Sequence, residues 1–116
     1  MDKSKVVKVY ILLIVVHFLH VVEELLGDAS FISNIYKGTT NFLVINLLLL
    51  TVPIILLFFV YKNKRSAYLL SYIYATIMII DGLNHIIKVY PGVYTGVGLI
   101  ILGFILILTL ARNKLK

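Results

Sequence analysis

There is no cysteine in these 116 residues. Disulfides, thiolate metal sites and cysteine nucleophiles are therefore excluded. Charge is scarce as well: 14% of the residues are charged, with 5 acidic against 11 basic. A soluble domain carries about a quarter charged residues and about half apolar ones. Here 61% of the chain is hydrophobic and the mean hydropathy is +1.05. An ordinary globular domain is excluded, and the length allows one domain at most. Low-complexity segments and convincing internal repeats are also missing.

What is present is a set of apolar blocks too long for a soluble core. Four spans can be read, at about 6–26, 41–61, 67–87 and 93–110, each close to the ~20 residues that cross a bilayer as a helix. Pro53 falls inside the second and is expected to kink it. Pro91-Gly92 stands just before the fourth, where a proline suits a helix start. The stretch from Gly27 to Thr40 reads as the one loop of any length, with FISNIYKG as a short amphipathic turn at the interface. The expected fold is all-α: an integral membrane four-helix bundle forming one domain over 1–116.

The net charge of +6 would suit nucleic acid if it were evenly spread. Instead the basic residues flank the apolar blocks: Lys3, Lys5 and Lys8 before the first, Lys62, Lys64 and Arg65 between the second and third, Arg112, Lys114 and Lys116 at the end. That is a topology signal, which places both termini and the middle loop in the cytoplasm. Membrane lipids are the expected partners and nucleic acid is not; the oligomeric state stays open. The lysine-rich start followed by an apolar run also fits a signal peptide, but HFLHVVEE stands where a small-residue cleavage site belongs, so a retained helix is expected.

HFLHVVEELLGD, residues 17–28, is the anomaly. His17, His20 and Glu24 fall within a helical sector of roughly 60°, with Glu23 at its edge. On the third span DGLNH sets Asp81, Asn84 and His85 at i, i+3 and i+4. The two spans run in the same direction, and His20 and Asp81 lie at similar depths, in the outer half of the bilayer. A carboxylate at mid-bilayer costs about 3 kcal/mol on insertion scales, so the two polar faces are expected to meet in one buried cluster.

Neutral imidazoles and carboxylates without sulfur are ligands for zinc, iron or manganese. His20, Glu24 and His85 are the candidate metal ligands, with Glu23 or Asp81 as fourth ligand or acid–base group. Glu23, Glu24 and Asp81 are thus the candidate catalytic acids. His17, Asn84 and Thr95 are candidates for supporting contacts, Asn84 by orienting an imidazole. A metal-free version is open too: a glutamate beside a histidine is a proton-transfer pair.

His20-Val21-Val22-Glu23-Glu24 reads as H-x-x-E-E. With Asn84-His85, and Pro91-Gly92 followed by Thr95, the chain resembles the HXXEE-motif family of small bacterial multi-span membrane proteins. The likeness runs over most of the chain. It implies a metal-binding or enzymatic site at His20, Glu23, Glu24, Asn84 and His85, and names no substrate.

Structural readings stand beside these. His17 suits a core histidine, and Glu23 and Glu24 suit a solvated helix end closed by Gly27 and Asp28. Asp81 suits an interhelical hydrogen bond or a pair with Lys88. Asn46 suits helix–helix bonding, Thr95 a bond to its own backbone, and Gly92, Gly96, Gly98 and Gly103 close packing of the fourth span. Tyr10, Tyr61, Tyr68, Tyr90 and Tyr94 fall near span ends, as an interfacial belt does. The leading expectation is a metal-dependent membrane enzyme for a lipid-like or apolar substrate. The alternatives are a metal-free isomerase similar in architecture to the four-span sterol isomerases, an ion- or ligand-binding or transport protein, and an accessory protein whose polar residues only lock helices together.

Overall fold

A computed structural model describes residues 3–27, 29–88 and 92–113. The described residues form five helices: α1 (Lys3–Leu26), α2 (Ala29–Tyr36), α3 (Thr39–Tyr61), α4 (Arg65–Ile87) and α5 (Val93–Arg112). Four of them, α1, α3, α4 and α5, are long and apolar enough to cross a membrane. They coincide with the four expected spans, and no strand occurs among the described residues. Pro91, Tyr90 and Asp28 lie outside the described residues.

Each long helix buries one seam. On α5 the buried positions are Gly96, Leu99, Gly103, Leu106 and Leu110, a spacing of three and four that keeps one face turned inward. On α1 the seam starts as Val6, Tyr10 and Leu13 and continues as His17, His20 and Glu24. The stripe that is apolar at one end of the bundle is thus ionisable at the other. α3 stays helical through Pro53, which is buried.

Packing is most extensive between α4 and α5, then between α1 and α5, with α3 closing the ring against both α4 and α1. Consequently α1 and α4 face each other diagonally across the bundle and barely touch through their backbones. The polar faces of the first and third spans meet all the same, through the side chains of His20 and Glu24 on α1 and Asp81 and His85 on α4. Lipid offers no hydrophobic drive between helices, so close approach has to come from small residues. At the α4–α5 crossing a methyl group added to Gly82 would collide with the Gly96 carbonyl oxygen, and one on Gly103 would stand 2.6 Å from Ile79.

Two expectations need correction. The loop from Gly27 to Thr40 contains a helix, α2, whose Ile32 packs in a small cluster with Val21, Phe42 and Leu50. It ends at Lys37 and Gly38, both with positive φ, a turn that reverses the chain into α3. The second correction concerns the tyrosines. Tyr61 and Tyr94 are exposed as an interfacial belt requires, but Tyr10 and Tyr68 are buried. Tyr10 lies deep in the core, its hydroxyl 2.8 Å from Ser71 Oγ and its ring stacked on Tyr74.

Candidate metal centre

Four side chains converge where the ionisable half of the α1 seam meets the last turns of α4. His20 and Glu24 come from α1 and Asp81 and His85 from α4, each pair one helical turn apart. One ligand-type atom from each lies within 4.8 Å of all the others. His20 Nε2 is 2.8 Å from Glu24 Oε1 and 3.2 Å from Asp81 Oδ2. His85 Nε2 is 3.6 Å from the same Glu24 oxygen and 3.5 Å from Asp81 Oδ1. The imidazoles stand edge to face, 4.4 Å between centroids. With metal–ligand bonds of about 2.0–2.1 Å, neighbouring ligands of a tetrahedral ion are about 3.3 Å apart. The group can hold a metal ion.

Two atoms sharpen that fit. His20 Nε2 and Glu24 Oε2 are buried without a hydrogen-bond partner. His20 Nε2 does have the Glu24 and Asp81 carboxylates as ion-pair neighbours, at 2.8 and 3.2 Å, so Glu24 Oε2 is the barer of the two. A buried carboxylate oxygen left bare costs several kcal/mol unless a cation or a donor meets it, and a divalent ion would balance Glu24 and Asp81 together. Asp81 is the least enclosed: its side chain is 37% exposed against 3% for Glu24.

The proton on His20 is assigned by its neighbours. Thr95 Oγ1 donates to Glu23 Oε1 at 2.6 Å, and the Thr95 backbone N–H donates to the same oxygen at 3.0 Å. A hydroxyl has one hydrogen, so Thr95 Oγ1 meets His20 Nδ1, 2.8 Å away, as an acceptor. Nδ1 therefore carries the hydrogen. In the neutral ring Nε2 is left with its lone pair facing the cluster, the tautomer a metal ligand needs.

Glu23 has a second task. The N-cap of α5 is Gly92, which brings no side-chain cap, so the first N–H groups of that helix need an outside acceptor. Glu23 supplies it from α1, where its charge also meets the positive end of the helix dipole. Glu23 thus stands outside the group of four, with its Oε1 engaged at the start of α5. Gly92, at φ +100, is seated against His20: a Cβ there would stand 2.7 Å from the His20 ring carbon Cε1. Its smallness serves the imidazole as well as helix packing.

The remaining candidates fall outside the group. His17 is buried, and its Nδ1 is 2.9 Å from the Tyr74 hydroxyl, so it is a core histidine one turn below the cluster. Asn84 is exposed. Asn46 is buried and donates to the Phe42 carbonyl oxygen at 2.8 Å, bonding at the α3 side of the cover formed by α2. There burial raises the Tyr36 phenol above its ordinary value, the Glu24 charge adds to the rise, and the hydrogen bond with Asn46 opposes it. Tyr74 and Ser71 escaped the sequence reading, and Tyr10 was placed in the interfacial belt, because a tyrosine or serine in an apolar span carries no mark of its partner. Comparison with protein-family models, curated proteins and solved structures gave no match.

Proposed function

We propose that this chain is a membrane-embedded metalloenzyme of the HXXEE-motif family it resembles. It holds one divalent ion of the zinc, iron or manganese class through His20, Glu24, Asp81 and His85, and acts on a lipid-like or otherwise apolar substrate. The observation that carries this reading is the convergence of four nitrogen and oxygen donors, with the buried Glu24 Oε2 among them lacking a hydrogen-bond partner. An all-nitrogen-and-oxygen donor set suits those metals better than a soft ion.

When bound, such an ion supplies Lewis acidity and lowers the pKa of a coordinated water. The chain's own residues do the rest. Thr95 and Glu23 hold the His20 ring with its proton outward. Glu24, enclosed on all sides, is the fixed anionic ligand. Asp81, the least enclosed, is the group an incoming substrate meets, as a displaceable ligand or a proton acceptor. With both termini in the cytoplasm by the positive-inside rule, the site lies in the outer half of the bilayer.

Elemental analysis of detergent-purified protein tests this. The expected result is one equivalent of zinc, iron or manganese, lost in His20→Ala and His85→Ala. Folded protein that takes up none of these metals would return the site to proton chemistry, the metal-free isomerase reading.

A further inference from the structure

The cluster is closed on three of its four sides. Toward α5, Thr95 bonds both His20 and Glu23, and Gly92 lies on the His20 ring. Between α4 and α5 the backbones meet at Gly82 and Gly96. Toward α1 and α3, Val21, Ile32 and Phe42 pack together under α2, with the Glu24 charge felt at Tyr36 beside them. The fourth side is the seam between α3 and α4.

That seam holds an apolar groove of about 170 Å³, with Val52 and Leu56 on one wall and Ile73, Tyr74, Ile77 and Met78 on the other. Val52, Ile73 and Ile77 are about half exposed while Leu56, Tyr74 and Met78 are buried, so the groove has a floor and opens sideways to lipid. The one polar atom of its floor residues, the Tyr74 hydroxyl, is engaged by His17. At about 3.6 residues per turn, the groove-lining positions of α4 centre within about 15° of Asp81 on the helix wheel. Ile77 lies one turn before Asp81. The groove's last lining residues on α4, Ile77 and Met78, thus stop about 6 Å short of Asp81 along the same face of the helix.

The geometry points to this groove as the seat of a single hydrocarbon chain of an amphiphilic substrate, whose polar end enters the centre past Asp81. This rests on the metalloenzyme reading. The size excludes a partner helix, which is about 10–12 Å across, whereas an apolar cavity of about 150 Å³ takes a benzene-sized guest. A membrane chain is already out of water, so the groove selects by shape and aims the head group; it gains no hydrophobic energy from burial.

Cobalt(II)-loaded protein in nanodiscs, titrated with decyl hydroxamate and with acetohydroxamate, tests the groove by the cobalt absorption spectrum. Val52→Trp and Ile77→Trp, both at lipid-exposed positions, should weaken decyl hydroxamate about tenfold or more by overfilling the groove. Cobalt stoichiometry and acetohydroxamate binding should not change, and Ile101→Trp on the lipid face of α5 should behave as the parent. Ile77→Phe provides a smaller filler should either tryptophan variant misfold. Parent-like decyl hydroxamate affinity in the filled variants, with cobalt still bound, would overturn the groove and leave the metal centre standing. Parent protein that binds no cobalt would overturn both.

Discussion

The Thr95 hydroxyl oxygen lies 2.8 Å from His20 Nδ1, and this contact decides which imidazole nitrogen is free for the cluster. Removing a group that orients a metal-bound histidine typically lowers metal affinity by about 10–100-fold. Thr95→Val should show a loss of that order in a competition titration against a chelator, and Thr95→Ser should restore most of it. Equal affinities for parent and Thr95→Val would show that the hydroxyl does not set the ring.

Glu23→Gln separates two roles of one carboxylate. It removes the charge at the α5 N-terminus, worth about 0.3–1 kcal/mol, while the amide oxygen can still accept from Thr95. Thermal unfolding in detergent should show a modest drop and metal stoichiometry should hold. Full loss of metal in Glu23→Gln would make Glu23 a ligand after all.

Gly92→Ala should be far worse than its size suggests. The left-handed backbone costs a non-glycine residue about 1–2 kcal/mol, and the new methyl would press on the His20 ring. Adding the overpacking cost of about 1–3 kcal/mol gives a destabilisation of about 2–5 kcal/mol, together with lower metal occupancy. A parent-like melting curve and metal content would refute the seating of Gly92 against His20.

His17 and Tyr74 form a buried pair with no place in the ligand group. Tyr74→Phe leaves the imidazole without its partner, for a loss of about 1–3 kcal/mol. Adding His17→Leu should recover part of that, since the pair is coupled. Metal content should be unchanged in both variants; a fall in Tyr74→Phe would tie this pair to the centre.

The absence of cysteine makes orientation directly measurable. An impermeant maleimide should label Tyr94→Cys in intact cells, and Lys64→Cys only after permeabilisation. The reverse pattern would put the centre on the cytoplasmic side.

Much of this was legible in the chain. The spans follow from hydropathy alone, because a helix crossing lipid needs an unbroken apolar length. His17, His20 and Glu24 share a buried stripe, as helical geometry requires, and all three are buried. The same geometry misplaced Asn84: it lies three residues after Asp81, on the edge of the stripe, and that offset is enough to expose it. What stayed hidden was pairwise. A span-end rule cannot tell the buried Tyr10 from the exposed Tyr61, since the difference is Ser71 on another helix. Nor does the sequence reveal that Glu23 caps α5, because the capped helix begins only at Val93, three spans further along the chain. The short α2 escaped because eight residues are too few for periodicity to separate a helix from a turn.

The order of the four converging residues has one further result. Along α1 the histidine precedes the acid, and along α4 the acid precedes the histidine, so His20 stands level with Asp81 and Glu24 with His85. Because these two helices run the same way, sliding either by one turn, about 5.4 Å, would bring Glu24 level with Asp81, or His20 level with His85. Like would then confront like in a medium that screens poorly. The alternation acts as a ratchet tooth against piston motion, and it fixes the axial alignment of two helices whose backbones scarcely meet.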